Sequence, residues 1–188
     1  MTYKRISRNI FFIIFTSLVF SCNLFAADAI IDNFIINKKN NSFLLSFVVK
    51  NSFSDDIEKL VKSGTPMSFS FDIEIDKERS YLPDSTIFEK ELTHKLRYSS
   101  LTKVYYITKP YISKYPYLIN SEKKAVEEMS SITDFEIKGL KLEPDASYVI
   151  KVRARLREVT LPFYLHKILF FMSFFDFKTE WKSVEIKF

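Results

Sequence analysis

Apolar and polar residues alternate without interruption from Met67 to Asp76. Because successive side chains of a strand lie on opposite faces, this pattern predicts one long, half-buried strand. A strand of this kind needs a covering layer on its apolar side, so we take it as the centre of the predicted fold. Its apolar face comprises Met67, Phe69, Phe71, Ile73 and Ile75, and its polar face comprises Ser68, Ser70, Asp72, Glu74 and Asp76.

Strand patterns also occur on both sides of this segment. Residues 38–41 are polar and turn-forming, so the two strands around them are predicted to form a hairpin. One face of a second long strand carries Phe88, Lys90, Leu92, His94, Leu96 and Tyr98. The further predicted strands are residues 29–37, 42–50, 87–98, 102–108, 135–137, 146–158 and 181–188.

Two short helices are predicted between the strands. Asp55 and Glu58 have the spacing of a capping box, and Gly64 stands where a helix C-cap belongs, which predicts a helix over residues 55–63. The second helix is predicted over residues 122–132, with Asn120 or Ser121 as its N-cap and Val126, Met129 and Ile132 facing the core. Residues 109–120 are rich in Tyr and contain two prolines, so we expect a loop or an irregular edge there.

These elements predict a mainly β protein. We expect an antiparallel β-sandwich of about seven to nine strands with two or three short helices. An immunoglobulin-like sandwich and a single curved sheet with helices on one face both fit the pattern. A length of 188 residues is typical of one domain, which we place at residues 28–188.

The first 27 residues have the layout of a secretory signal peptide. Lys4, Arg5 and Arg8 precede an apolar run at residues 10–20, and small residues follow near Ala26. The apolar run is shorter than the roughly 20 residues that a membrane-spanning helix needs. We expect export to the periplasm; the alternative is an uncleaved anchor that keeps the protein on the periplasmic side of a membrane.

Cys22 is the only cysteine of the chain. The segment Val19-Phe20-Ser21-Cys22 loosely resembles a bacterial lipoprotein box, in which the thiol is acylated after cleavage. The alternative is that Cys22 leaves with the signal peptide. The mature protein then has no cysteine, and its stability depends on core packing alone.

The charge is nearly balanced outside the signal segment. The formal net charge of +5 includes Lys4, Arg5 and Arg8. Without them the charge is about +2, so the composition does not favour a nucleic-acid partner, and none is expected. A basic ladder of Lys151, Arg153, Arg155 and Arg157 lies on one face of the strand at residues 146–158. We predict that this strand lies beside an acidic strand; the alternative is a binding stripe for an anionic polymer or lipid phosphates.

Residues 161–177 form an aromatic segment, LPFYLHKILFFMSFFDF. A helix of this length is too short to span a bilayer. The segment is predicted to cover the apolar face of the sheet. The alternative is an exposed surface for a partner or a membrane interface.

Four segments together resemble a known family. They are SGTPMSFSFDIEIDKERSY from Ser63, LRYSSLTKVYYIT from Leu96, VRARLREVTLP from Val152 and DFKTEW from Asp176. In this order they are similar to DUF4390, a family of exported bacterial proteins with no assigned activity. The resemblance spans residues 28–188 and implies export and a single domain. Ser99 stands where the family usually has His, which argues against catalysis there, and Phe177 replaces a Trp.

The sequence contains few candidates for catalysis. Its two histidines are His94 and His166, and no catalytic or nucleotide-binding motif is present. His94 shares a strand face with leucines, which favours a packed histidine over a base. Two distant histidines do not indicate a metal site, and Asp72, Glu74 and Asp76 are better explained as a solvated strand face than as calcium ligands. No catalytic residue, cofactor or metal is therefore assigned.

Three functions remain open. The favoured one is a non-catalytic cell-envelope module that binds another protein through an exposed aromatic patch in residues 105–117 or 161–177. The second is a membrane- or lipid-associated protein that uses the basic ladder and the aromatic segment. The third is an envelope hydrolase or transferase, which requires a cleft where a histidine meets a carboxylate. The residues assigned to a partner surface are Arg97, Tyr98, Lys151, Arg153, Arg155, Arg157, Phe170, Phe171 and Trp181.

Overall fold

The chain folds into two antiparallel sheets with two short helices. The structure is a computed structural model that describes residues 29–39, 42–79, 81, 83–157 and 178–187. The three-stranded sheet has the order β1-β2-β7, and the six-stranded sheet has the order β6-β5-β4-β3-β8-β9. The strands are β1 (Ile30–Lys39), β2 (Ser42–Lys50), β3 (Met67–Lys77), β4 (Ser85–Ser99), β5 (Val104–Thr108), β6 (Tyr117–Ile119), β7 (Ser131–Lys138), β8 (Ser147–Arg157) and β9 (Lys182–Lys187); the helices are α1 (Asp55–Lys62) and α2 (Glu122–Ser130).

The strand predicted as the centre of the fold is β3. It lies in the interior of the six-stranded sheet, paired antiparallel with β4 on one side and β8 on the other. All five side chains of its predicted apolar face are buried. The buried apolar face is confirmed, but the strand is more than half-buried, because Ser70, Asp72 and Asp76 of its polar face are buried as well and the prediction of a solvated face is wrong for them.

The two sheets enclose a common core. Residues of both sheets belong to one buried apolar cluster. Phe47 of β2 packs edge-on against Phe71 of β3, with ring centroids 5.8 Å apart. The mainly β fold class is confirmed, and the arrangement is sandwich-like, with two sheets in place of the single curved sheet that was the alternative. The predicted hairpin is also confirmed, since β1 and β2 pair antiparallel.

Helix α1 begins at Asp55, as predicted, but its N-cap is the residue before Asp55. The N-cap is Ser54, whose hydroxyl accepts a hydrogen bond from the backbone N–H of Ile57. The predicted C-terminal stop is confirmed at Gly64, which has a φ of +88°. The N–H groups of Gly64 and Thr65 donate to the carbonyls of Val61 and Leu60, which closes the last turn and leads directly into β3.

Helix α2 ends earlier than predicted, and β7 is longer. Ser131 has extended backbone angles, so the helix stops at Ser130. Ile132 was assigned to the helix but lies in β7, where it pairs with Phe47 of β2. The eight residues of β7 replace the three-residue strand predicted there. Helical spacing placed Ile132 correctly in the core, where it is buried, but did not distinguish the helix from the strand that follows it.

Several predicted features lie outside the described residues. These are the signal peptide, Cys22, the segment 161–177 with Phe170 and Phe171, and His166. The side chain of Arg157 is also outside them. No helix in the described part of the chain is both long and apolar enough to cross a membrane.

Candidate functional site

The basic ladder lies beside the acidic strand, as predicted. In the antiparallel register of β8 and β3, Arg153 is opposite Asp72 and Lys151 is opposite Glu74. These residues lie on the face of the six-stranded sheet that points away from the core, which we call the outer face. Opposite charges on neighbouring strands attract each other across the sheet, so the strands support each other through their side chains.

Two arginines share one carboxylate in the middle of the outer face. Arg153 donates through Nε and Nη2 to Oδ2 of Asp72, at 3.0 and 2.7 Å. Arg155 donates through Nη2 to the other oxygen of Asp72 at 2.5 Å, and to Glu91 Oε2 at 3.3 Å. Asp72 is buried beneath them. The arginines are therefore neutralised within the protein, which weakens the interpretation of this ladder as an anion-binding stripe.

Lys151 has a carboxylate partner of its own. Its ammonium donates to Asp76 Oδ2 at 2.5 Å, and the Thr86 hydroxyl donates to Oδ1 of the same carboxylate at 2.7 Å. Burial opposes ionisation of Asp76, but these two hydrogen bonds outweigh it and lower the pKa of Asp76. The bond to Asp76 raises the pKa of Lys151. At this end of the outer face, the positive charge of Lys151 is therefore balanced by the negative charge of Asp76.

Trp181 packs against one of the paired arginines of the outer face. The guanidinium carbon of Arg153 lies 4.2 Å from the centroid of the Trp181 ring. Cation–π contacts of this kind hold a guanidinium flat against the ring. Of the residues assigned to a partner surface, Arg153, Arg155 and Trp181 are therefore linked through Asp72 and the cation–π contact, and Lys151 is paired separately with Asp76.

The opposite end of the outer face carries two cations, Lys95 and Arg97. Lys95 and Arg97 lie two residues apart on β4, and therefore on the same face. The register places Lys95 between Ser68 of β3 and Thr108 of β5, and places Arg97 beside Tyr106 of β5. Within the described part of the chain, neither Lys95 nor Arg97 forms an ion pair.

A cleft opens around these two cations. Its volume is about 430 Å³, within the range of small-ligand sites. We call it the outer-face cleft. It is lined by Pro66, Lys95, Leu96, Arg97, Tyr106, Thr108 and Pro116.

Exposed apolar side chains occur on β6 and in the loop that leads into it through Pro116, which lines the cleft. Leu118 of β6 is opposite Tyr106, so it lies in the same row as Arg97, and it is 62% exposed. In the loop before β6, Ile112 is 71% exposed and Tyr115 is 82% exposed. A contiguous exposed apolar surface is typical of interaction sites. An exposed aromatic patch was expected in residues 105–117; Tyr115 is exposed, whereas Tyr105 is buried and Tyr111 packs against the core.

A polar network anchors the loop that carries these residues. The buried ammonium of Lys109 donates to Glu128 of α2 at 2.7 Å, and the Tyr117 hydroxyl donates to the same carboxylate oxygen at 2.9 Å. The hydrogen bond from Lys109 is the main cause of the lowered pKa of Glu128. Both ends of the loop are therefore fastened to one residue of the helix, so the exposed side chains stand on a supported segment.

His94 forms part of this support and is sealed from solvent. Its Nδ1 lies 3.0 Å from the Met129 carbonyl, and its Nε2 lies 2.7 Å from the Tyr111 hydroxyl. Burial, with the charge of Lys109, lowers the pKa of His94 to about 4. The ring is therefore neutral at pH 7, with Nδ1–H donating to the carbonyl and Nε2 accepting from the phenol. A histidine without solvent access and with both nitrogens engaged is a packing residue, as the sequence favoured.

The structure separates residues that the sequence had grouped. Arg97 lies on the outer face, whereas Tyr98 faces the core side and packs against Tyr105 at 4.7 Å between centroids. Sequence reasoning missed Lys95, Tyr106 and Leu118. Alternation along β4 pairs Lys95 with Arg97, but only the register of β5 and β6 brings the other two alongside. Among the described residues, no group of three or more metal-ligating side chains is close enough to hold an ion.

Comparison with known proteins identifies one family. A family model described as a domain of unknown function, DUF4390, matches residues 26–185, which confirms the resemblance carried by the four sequence segments. Searches of curated proteins and of solved structures gave no significant match.

Proposed function

Because the chain belongs to the DUF4390 family, which carries no assigned activity, we propose a function from the site itself: a non-catalytic module that binds another protein. The observation that carries this proposal is the combination of the outer-face cleft with the exposed side chains of Tyr115 and Leu118. Protein interfaces are enriched in Tyr and Arg and in apolar side chains that become buried on binding.

The support beneath this surface favours binding. The loop from Lys109 to Tyr117 is fixed at both ends through Glu128, so its apolar side chains are held in place before a partner arrives. A surface that is ordered in advance loses less conformational entropy on association. The same network argues against catalysis at His94, because the imidazole is buried and both of its nitrogens are engaged.

A cell-envelope location is part of the proposal. It is supported by the charged and apolar pattern of residues 1–27 and by Cys22 as an acylation candidate. The partner is then a protein of the same compartment. A membrane surface is a weaker candidate, since the cations of Arg153 and Arg155 already bind Asp72.

Site-specific photo-crosslinking in the native host tests this proposal. A photoreactive amino acid replaces Leu118 or Tyr115 in the full-length chain, and the matched control replaces Ile35 of β1, which is 51% exposed on the other sheet. We expect one protein to be crosslinked from Leu118 and Tyr115 and not from Ile35. Equal crosslinking from all three positions, or none from the first two, would contradict a protein-binding role for this surface.

A further inference from the structure

We propose that the outer-face cleft binds an acidic, extended segment of the partner, with carboxylates at alternate positions that pair with Lys95 and Arg97. This inference rests on the proposed protein-binding function and specifies the chemistry of the partner. It is carried by three observations: the charge of the cleft, the spacing of its two cations, and the apolar side chains beside them.

The two cations of the cleft have no ion-pair partner in the part of the chain that the structure describes. Each of the three basic residues of β8 whose side chain is described has a carboxylate partner: Lys151 has Asp76, and Arg153 and Arg155 have Asp72. Among the described residues that line the cleft there are two cations and no carboxylate. Since the cations of the cleft differ in this way from those of β8, the cleft attracts an anionic group more strongly than the paired ladder does.

The spacing of the cations fits an extended chain. Lys95 and Arg97 are alternate residues of β4, so their Cα atoms are roughly 6.5–7 Å apart. An extended peptide repeats its same-side residues at the same interval. A segment that runs along β4 can therefore place one carboxylate at Lys95 and the next at Arg97. Pairing in two places also fixes the register of the segment.

Apolar surface borders the cations on the β6 side. The Arg97 guanidinium carbon lies 5.6 Å from the centroid of the Tyr106 ring, and Leu118 follows in the same cross-strand row. Pro116 adds to the wall of the cleft. A peptide carries apolar and acidic side chains within one short stretch, so it can occupy both parts of this surface at once.

The shape of the site favours a peptide over a lipid surface. Lys95 and Arg97 line a cleft with a volume of about 430 Å³, whose lining also includes Pro66 and Pro116 from two different segments. Anionic headgroups in a bilayer form a plane, and a plane is met by cations that protrude from the protein. Anionic vesicles are therefore tested separately, as the alternative ligand.

Fluorescence anisotropy with defined probes tests this inference on the full-length chain. The probe is a heptapeptide in which glutamate alternates with threonine or valine, labelled with rhodamine, and the charge control has lysine in place of glutamate. We expect the glutamate peptide to bind and its affinity to fall as ionic strength rises, and the lysine peptide not to bind. The double substitution of Lys95→Gln with Arg97→Gln should weaken binding about tenfold.

A charge-matched variant distinguishes the contribution of the cleft residues to binding from the effect of the protein's net charge. Lys90→Gln with Lys141→Gln removes the same two charges from exposed positions that do not line the cleft, and it should bind the glutamate peptide as the unmodified chain does. Equal loss of affinity in both double variants would overturn the inference. So would the absence of binding by the unmodified chain at peptide concentrations up to about 1 mM.

A vesicle measurement distinguishes the peptide from a lipid surface. Vesicles of anionic phosphatidylglycerol, with neutral phosphatidylcholine vesicles as the control, are floated with the same variants. If the anionic vesicles bind through Lys95 and Arg97 while the glutamate peptide does not, the inference is overturned. Crosslinking from Leu118 without binding of the glutamate peptide would overturn the acidic-segment inference and leave the protein-binding function standing.

Discussion

The guanidinium of Arg97 lies over the ring of Tyr106, with 5.6 Å between the guanidinium carbon and the ring centroid. The two residues are cross-strand neighbours of β4 and β5. The aromatic ring holds the cation above the sheet, and exposed contacts of this kind contribute about 0.5–1 kcal/mol. Because Arg97 forms no ion pair among the described residues, its N–H groups remain available to a ligand in the outer-face cleft.

Tyr106 should contribute to binding through its ring and not through its hydroxyl. We expect Tyr106→Leu to weaken binding of the glutamate peptide about threefold, because it removes the support for Arg97. Tyr106→Phe keeps the ring and should leave the affinity unchanged. Anisotropy titrations compare the two variants, and urea unfolding checks that both are folded. If Tyr106→Phe weakens binding as much as Tyr106→Leu does, the ring is not the supporting group.

Asp72 should be important for stability. Asp72→Asn removes the carboxylate that neutralises Arg153 and Arg155. The two half-buried guanidinium groups then lose their shared ion-pair partner. We expect the free energy of unfolding to fall by about 2–3 kcal/mol, somewhat less than for a fully buried pair. Urea unfolding measures this, with Glu89→Gln as the control because Glu89 is exposed on the neighbouring strand. An Asp72 variant as stable as the Glu89 variant would contradict the role of this pair.

The same substitution should create an anion-binding surface. With Asp72 neutral, Arg153 and Arg155 lose their shared partner, so Asp72→Asn should bind phosphatidylglycerol vesicles more tightly than the unmodified chain does. Flotation at low and high salt measures the difference. Unchanged vesicle binding would mean that internal pairing is not what limits the affinity of this ladder for anions.

His94 should make stability depend on pH between about 4 and 6.5. Its pKa is about 4 in the folded chain and 6.5 in the unfolded chain, so the unfolded chain binds a proton first as the pH falls. Stability is therefore fully present above pH 6.5 and declines on acidification, by about 3 kcal/mol in total at pH 4. Urea unfolding at intervals from pH 7 to pH 4.5 should give a flatter profile for His94→Gln. Parallel profiles for the two proteins would contradict a neutral, buried His94.

Glu128 should control the order of the exposed loop. Glu128→Gln removes the anion that holds the buried Lys109 and Tyr117, so hydrogen exchange should become faster in residues 110–116. Glu127→Gln changes the neighbouring, exposed position of α2 and serves as the control. The free energy of unfolding should fall by about 1–3 kcal/mol, because a buried ammonium loses its partner. Unchanged exchange in the loop would show that its order does not depend on Glu128.

The strands could be predicted because their pattern is local. The alternation from Met67 to Asp76 predicts both the extent and the buried face of β3. The basic residues of β8 are opposite in charge to the acidic residues of β3, which predicts that the two strands are neighbours. The boundary between α2 and β7 could not be found in this way. Ile132 suits a helix face as well as it suits a strand, and its assignment depends on pairing with Phe47, which is distant in sequence.

The candidate site was only partly predictable for the same reason. Arg97 was assigned to a partner surface as a cation, but its companions come from other strands. Tyr106 and Leu118 reach the same row only through the register of β5 and β6. The basic ladder could be recognised in the sequence because its charges occupy alternate positions along one strand. Whether those charges are compensated depends on Asp72 and Asp76, whose positions opposite them follow from the fold.

Chemical-shift mapping tests most directly the claim that the partner surface is the uncompensated end of the outer face. The full-length chain, labelled with ¹⁵N, is titrated with the glutamate heptapeptide. The largest shifts should occur at Lys95, Arg97, Tyr106 and Leu118, with small changes at Arg153 and Trp181. Largest shifts at Arg153 and Trp181, or no shifts at saturating peptide, would contradict the claim.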